Sequence, residues 1–163
     1  MSRQHLLTVV VLLISSYHAH CVDDLDNGLG KDYEWHSLDD GLKLSKETDK
    51  PLMLIIHKSW CGACKAFKPK FAASEKALEL SKHFVMVNTL DNDEPDDEKY
   101  KPDGGYIPRI LFLGSDGEVR EEIYNEGGNP QYKFYYYDEG SVIKAMSKAV
   151  QLIPQMNARS DEL

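Results

Sequence analysis

A strongly apolar run followed closely by a pair of cysteines constrains the fold of this chain more than any other feature. The run Leu52–Ile56 is bounded by turn-forming and polar residues, which predicts a buried central strand. Cys61 and Cys64 follow after a short interval, with Gly62 and Ala63 between them. The pattern predicts a strand that turns into a helix, with both thiols on the first helical turn.

Two thiols at this spacing are suited to reversible thiol–disulfide exchange. The free N–H groups and the macrodipole at a helix N-terminus stabilise a thiolate. We therefore expect Cys61, at the exposed start of the helix, to attack, and Cys64, one turn further in, to resolve the mixed disulfide. Trp60 is expected to shield the active-site surface, with an ordinary packed aromatic as the alternative. Lys58 and Lys65 are expected to be solvated lysines with a modest effect on the thiolate.

Half of a structural zinc site is the competing interpretation of the cysteine pair, since two thiolates at this spacing are common zinc ligands. A second pair is missing, because the only other cysteine is Cys21, and neither His36 nor His83 has a ligand-like spacing to the thiols. The acidic stretch 91–98 is expected to be a solvated loop, and calcium binding there is the alternative. We expect no metal and no prosthetic group, because the dithiol itself carries the electrons.

Both ends of the chain carry sorting features. Residues 1–21 combine a basic start, an apolar core of about ten residues and small residues at their end, which is the layout of a secretory signal peptide. That core is too short for a membrane-spanning helix, which needs roughly 20 residues. The chain ends in Ser160–Leu163, a variant of the endoplasmic reticulum retrieval signal that a receptor recognises. These features predict a protein of the endoplasmic reticulum lumen that binds the retrieval receptor and does not span the membrane.

The rest of the chain is long enough for one domain. About 140 residues remain after removal of residues 1–21, which suffices for a single hydrophobic core. Residues 22–34 are rich in acids and glycine without an apolar period, so they are expected to be a flexible lead-in to a domain at 35–155 and a tail at 156–163. The 27 acidic and 19 basic residues give a net charge of −8, which disfavours nucleic acid as a partner.

Hydrophobic periodicity predicts an alternation of helices and strands. The expected elements are a first helix ending near Thr48–Lys50, a strand at Leu52–His57, one long helix over Cys61–Lys82 kinked at Pro69, strands at Phe84–Leu90 and Ile110–Leu113, a hairpin turn at Ser115–Gly117 into a strand at Glu118–Tyr124, and a last helix through Val142–Ile153.

Two segments resemble the thioredoxin superfamily. They are Trp-Cys-Gly-x-Cys at 60–64 and the pair Ile107-Pro108 directly before a strand. More closely, residues 58–65 and 104–113 resemble small endoplasmic reticulum thioredoxin-like proteins related to the anterior gradient proteins. The resemblance covers residues 35–155 and implies a single α/β thioredoxin fold, a central mixed β-sheet flanked by α-helices.

The resemblance also implies a site and an activity. Cys61 and Cys64 would be the catalytic dithiol and form the redox-active disulfide, facing a cis peptide bond between Ile107 and Pro108 where a substrate strand docks. Residues around the dithiol would support the site, namely Trp60, Gly62 and Ala63. The implied activity is that of a protein-disulfide oxidoreductase linked to glutathione, acting on secretory-pathway clients that carry thiols or disulfides.

The chain departs from the superfamily pattern at two positions. Ala63 stands where many thioredoxins have proline and protein disulfide isomerases have histidine, and this residue influences the redox potential. Ile55 stands where the superfamily often buries a carboxylate that accepts a proton. The resolving thiol therefore needs another acceptor, for which His57, Lys58 and water are the candidates.

A second class of function stays open: a chaperone-like module that binds clients and traps them as mixed disulfides. The intact Cys64 favours an enzyme, because a resolving cysteine permits turnover. The aromatic residues between Tyr132 and Tyr137 could contact clients, although packing on the sheet or its loop is the expected role. A single-domain monomer is the default expectation.

Overall fold

The computed structural model describes residues 25–160, with side chains as far as Pro154. The predicted signal peptide and the last three residues of the retrieval signal lie outside the described residues, so both stay predictions. Within the described part, no helix has the combination of length and apolar composition that a bilayer crossing requires.

The described residues form a four-stranded mixed sheet with helices on both faces. Its strand order is β1-β3-β2-β4, with β1, β3 and β2 parallel and β4 antiparallel to β2. The α/β fold class is therefore confirmed. The elements are β1 Trp35–His36, α1 Leu38–Thr48, β2 Leu52–His57, α2 Gly62–Ala72, α3 Glu75–Ser81, β3 Val85–Leu90, β4 Arg109–Leu113 and α4 Glu139–Ser160, with short 3-10 turns at Asp91–Asp93 and Glu98–Tyr100.

Strand β2 lies at the centre of the sheet, as its unbroken apolar sequence predicts. Every residue of β2 is buried, with β3 on one side and β4 on the other. Met53 and Ile55 point into the cluster that includes residues of α2 and α4, whereas Leu54 and Ile56 point into the cluster beneath α1. Both faces of the strand are covered, which explains why alternation is absent.

The predicted long helix is two helices. Helix α2 continues past Pro69 and ends at Ala72, and α3 begins at Glu75. Ser74 ends the continuity, because its hydroxyl oxygen accepts the N–H of Ala77 at 3.1 Å and caps α3. The prediction of one continuous helix was wrong, since the capping serine starts a new helix, and the kink at Pro69 stays a prediction.

The predicted strand Glu118–Tyr124 is absent from the described residues. The hairpin turn is present, since Gly117 N–H donates to Gly114 at 3.0 Å and Leu113 bridges Val119. That bridge consists of the bonds from Gly114 N–H to the Glu118 carbonyl at 3.0 Å and from Arg120 N–H to the Phe112 carbonyl at 2.8 Å, after which the N–H of Ile123 turns back to the Arg120 carbonyl. The local turn takes up the Arg120 carbonyl, the acceptor that a longer ladder would need.

The expected flexible lead-in packs on the domain over its described part, residues 25–34. Leu29 is fully buried and Tyr33 is 4% exposed. The Tyr33 ring stacks on Phe71 with centroids 4.9 Å apart, and its hydroxyl donates to the Phe71 carbonyl at 2.9 Å. The fold thus begins before residue 35, because two apolar residues within an acidic segment supply core contacts.

Candidate active site

The two cysteines lie where β2 passes into α2, as the sequence predicts. Cys61 is the N-cap of α2, and its Sγ accepts the backbone N–H of Cys64 at 3.1 Å. The same sulfur lies 3.9 Å from the carbonyl oxygen of Ile107. Gly62 and Ala63 form the first helical turn between the two thiols. The N-capping bond gives the Cys61 sulfur a donor of the kind that stabilises a thiolate.

The two thiols differ in their surroundings. Cys61 is 7% exposed, so it is buried at the helix start rather than exposed as predicted, and Cys64 is 1% exposed. Burial, reinforced by the contact with Cys61, raises the pKa of the Cys64 thiol to about 12, although the backbone N–H of Lys58 acts in the opposite direction. Cys64 is therefore protonated at neutral pH, and a base must remove its proton before it can attack a disulfide.

The peptide bond between Ile107 and Pro108 is cis, as the resemblance implies. Pro108 is buried and precedes β4, and the Ile107 carbonyl lies beside the Cys61 sulfur. Trp60 lies on the surface with 72% of its side chain exposed. An exposed indole next to the dithiol is available to a bound client, in contrast to the packed aromatic that was the alternative.

Lys58 is not the solvated lysine that the sequence analysis expects. Its Nζ lies 2.6 Å from Glu94 Oε2 and donates to the Asp91 carbonyl at 2.5 Å. The other carboxylate oxygen of Glu94 accepts from Arg109 Nη2 at 2.7 Å. The acidic loop is therefore only partly solvated, since Glu94 turns inward to two cations.

Arg109 is a fully buried charged side chain inside an apolar strand. Its Nε donates to Tyr100 O at 2.9 Å and its Nη1 to Tyr106 O at 2.6 Å, and Glu94 completes the set. The sequence reasoning missed this group. The available signal was an arginine at the start of an otherwise apolar strand, because a buried charge requires a partner.

His57 ends β2 on the sheet face that carries Met53 and Ile55, the face that α2 covers. Its side chain is buried, and Nε2 lies 3.1 Å from Asn88 Oδ1. Asn88 Nδ2 donates to the Leu25 carbonyl at 2.7 Å, so Oδ1 is the amide atom that faces the histidine. Nε2 must then carry the hydrogen, and Nδ1 holds the free lone pair.

Nothing within residues 25–160 hydrogen-bonds to His57 Nδ1. Burial, only partly offset by the bond to Asn88, lowers the pKa of His57 to about 4. The imidazole is therefore neutral at neutral pH. The Nζ of Lys58, by contrast, is already engaged by the Glu94 carboxylate and the Asp91 carbonyl, which leaves His57 and water as candidate acceptors.

The aromatic segment between 132 and 137 divides between core and surface. Phe134 and Tyr136 are buried, whereas Tyr132 and Tyr137 are 46% and 56% exposed. Tyr135 stacks on Tyr137 with centroids 6.0 Å apart. Burial, followed by the charges of the two cysteines, raises the pKa of Tyr135. Residues 134–137 alternate between buried and more exposed side chains, whereas Tyr132 lies in the turn before them.

The described residues contain no cluster of three or more His, Cys, Asp or Glu side chains arranged to hold a metal ion. The zinc and calcium alternatives therefore gain no support from the geometry between residues 25 and 160.

Comparisons with known proteins agree with this geometry. The family model described as Thioredoxin-like matches residues 34–115. Anterior gradient protein 3 of Xenopus tropicalis is 35% identical over 153 residues, covering 88% of this chain and 92% of that protein. Anterior gradient protein 3 of Homo sapiens is 34% identical over 131 residues, covering 79% and 78%. The solved structure of DsbH oxidoreductase superposes with a TM-score of 0.54 at 18% identity over 76% of this chain and 88% of that one, a likeness of fold. The chain belongs to the thioredoxin-like superfamily, as a relative of the anterior gradient proteins.

Proposed function

We propose that this chain is a protein thiol–disulfide oxidoreductase that uses Cys61 and Cys64 to form, reduce or rearrange disulfides in client proteins. One observation carries the proposal: the Cys61 sulfur caps α2 and receives the Cys64 N–H at 3.1 Å, while the second thiol is buried one turn behind it. A stabilised outer sulfur and a protonated inner thiol suit the two steps of exchange.

In the reducing direction, the Cys61 thiolate attacks one sulfur of a client disulfide. A Cys61–client disulfide forms, and the other client sulfur leaves as a thiolate. Deprotonated Cys64 then attacks Cys61 Sγ, which closes the Cys61–Cys64 disulfide and releases the second client thiolate. The client gains two electrons and the dithiol loses two, and the oxidising direction is the reverse.

His57 Nδ1 and water are the candidate acceptors of the Cys64 proton. The lone pair of Nδ1 is buried and without a partner among the described residues, and it lies on the sheet face beneath α2. Contacts with Cys61 help to raise the pKa of Cys64, and they change once Cys61 is bonded to a client. The pKa of His57, about 4, lies far below that of Cys64, about 12, so transfer to the imidazole is uphill and relies on the attraction between the new thiolate and the imidazolium.

The compartment and the partners are part of the same proposal. The signal peptide and the Ser160–Leu163 signal support the endoplasmic reticulum lumen and its retrieval receptor. Residues 58–65 and 104–113 resemble thioredoxin domain-containing protein 12, which supports glutathione as the redox co-substrate. Client proteins of the secretory pathway would supply the thiols and disulfides, and no resident cofactor is required.

A client-trapping module is the second candidate. The exposed rings of Tyr132 and Tyr137 favour it, because exposed aromatics bind unfolded segments without sequence selection. Tyr137 stacks on Tyr135, whose pKa the two cysteines help to raise. Such a module would hold clients as long-lived mixed disulfides on Cys61, and release would be slow although Cys64 is intact.

Turnover of a disulfide-bonded peptide with reduced glutathione separates the two candidates. The oxidoreductase proposal expects many cycles per wild-type molecule, none for C61S, and one mixed disulfide on Cys61 per molecule of C64S. Wild-type protein that stops after one adduct would favour the trapping module. Unchanged turnover by C61S would overturn both.

A further inference from the structure

The Glu94 carboxylate of the acidic loop pairs with two cations, Lys58 and Arg109. They lie on two segments of the candidate site, which we call its two walls: the residues before the dithiol and the residues after the cis Ile107-Pro108 bond. Glu94 Oε2 lies 2.6 Å from Lys58 Nζ, and Glu94 Oε1 lies 2.7 Å from Arg109 Nη2. The side chains of Lys58 and Glu94 are 17% and 18% exposed, and that of Arg109 is fully buried. Such limited access to water makes this charge cluster stronger than an ordinary surface ion pair.

The backbone of Lys58 acts on both cysteines. Its carbonyl accepts the N–H of Cys61 at 3.3 Å, and its backbone N–H lowers the pKa of the Cys64 thiol. The Lys58 backbone is therefore part of the surroundings of both thiols.

Arg109 anchors the opposite wall. It follows Pro108 directly, and the carbonyl of Ile107 lies 3.9 Å from the Cys61 sulfur. Glu94 thus links Lys58, which lies shortly before the dithiol in the sequence, to Arg109, which follows the cis Ile107-Pro108 bond.

We propose that Glu94 is a positioning residue of the dithiol, which fixes the two walls relative to each other and neutralises the cation that each wall carries. The inference rests on the proposed function, because it concerns the redox balance of Cys61 and Cys64. By neutralising Lys58 and Arg109, Glu94 limits the stabilisation of the thiolate and keeps the dithiol more reducing than the two free cations would allow.

Glu94 is not a proton acceptor in this scheme. Partial burial favours its protonated form, but the bonds from Lys58 and Arg109 outweigh burial and hold the pKa of Glu94 below its usual range. Its charge is constant at neutral pH, so its effect on the thiols is a fixed field.

The test compares wild type with E94Q in a series of reduced and oxidised glutathione, with thiol alkylation as the readout. Loss of the negative charge should shift the equilibrium about tenfold toward the reduced dithiol, a potential about 30 mV less negative, and should lower the pH at which Cys61 alkylates. E98Q is the matched control, because Glu98 belongs to the same loop but its side chain is 87% exposed. Its ion pair with Lys101, at 3.5 Å, is longer than either ion pair of Glu94. The E98Q equilibrium should equal that of wild type.

Two further variants distinguish the effect of the Glu94 charge on the redox equilibrium from an effect of the substitution on folding. K58M, which removes a cation and leaves Glu94 intact, should shift the equilibrium in the opposite direction, and it tests the proposal even where E94Q fails to fold. E94Q/K58M should return toward wild type. An E94Q equilibrium equal to that of E98Q, or a double variant displaced as far as E94Q alone, would overturn the inference.

The proposed function fails separately. A wild-type dithiol that does not equilibrate with glutathione would contradict redox cycling in this buffer, whereas the pH dependence of Cys61 alkylation in E94Q and E98Q would still test Glu94. Equal alkylation profiles in those two variants would overturn the positioning role.

Discussion

At the scale of single residues, the sequence predicts where the two cysteines lie but not the partners of the buried and partly buried charged side chains. The spacing of Cys61 and Cys64 predicts their place on the first turn of α2, because capping and helical pitch are local. The partners of Lys58 and Arg109 could not be predicted, because Glu94 reaches both from a distant loop whose composition indicates solvation. Local patterns give the position of the dithiol, and long-range pairing determines its electrostatics.

His57 should make the stability of the fold depend on pH. Its pKa of about 4 in the folded protein lies below the usual 6.5, so the unfolded chain binds the proton more readily between these values. The histidine's contribution is therefore complete above pH 6.5 and is lost as the pH falls toward 4, by about 2–3 kcal/mol.

Denaturant unfolding of wild type, H57Q and H83Q at pH 4.5 and 7 measures this contribution. His83 is exposed and serves as the control. The pH-dependent loss should be smaller in H57Q than in wild type and unchanged in H83Q; equal losses in all three proteins would show that His57 is not the group responsible.

At the scale of the elements, the close approach of one element to another requires particular residues that hydrophobic periodicity does not predict. Helix α1 lies so near β3 that a Cβ at Gly41 would come within 2.4 Å of Val87 Cγ2. The sequence predicts α1 correctly from its leucines, but the need for glycine within it arises only from packing. The break between α2 and α3 has a similar origin, because the Ser74 hydroxyl both caps α3 and donates to Glu139 of α4 at 2.5 Å.

Gly41→Ala should destabilise the protein although alanine favours helix. The gain in helix propensity is about 1 kcal/mol, whereas overpacking costs about 1–3 kcal/mol, so a net loss of up to about 2 kcal/mol is expected. Gly62→Ala is the control, since Gly62 is also helical and a Cβ there meets nothing within 4 Å. Chemical denaturation of both variants checks this, and a Gly41→Ala protein as stable as wild type would refute the close approach.

For the whole molecule, the segment before β1 belongs to the core. Composition alone predicts a flexible lead-in over residues 22–34, because acids and glycines outnumber apolar residues there. Leu29 and Tyr33 nevertheless enter the cluster that contains Phe71, which follows them by roughly forty positions. Composition averaged over a window of sequence does not detect such isolated core residues, whereas the central sheet, built from continuous apolar strands, is predictable.

A chain that begins at Trp35 should therefore be much less stable than one that begins at Leu25. Loss of the Leu29 and Tyr33 side chains removes roughly 3–6 kcal/mol of apolar burial. Thermal unfolding of the two truncated proteins measures the difference. A melting temperature that is the same for both would show that residues 25–34 contribute nothing to the core.

The equilibrium between the dithiol and glutathione tests the central claim most directly. Wild-type protein is equilibrated across a glutathione series and alkylated, and the oxidised fraction of Cys61 and Cys64 is measured, with C61S as the control. We predict one reversible two-electron transition with a potential between about −270 mV, typical of thioredoxin, and about −180 mV, typical of protein disulfide isomerase. A pair that stays reduced or oxidised throughout the series would contradict the claim that Cys61 and Cys64 form a working redox couple.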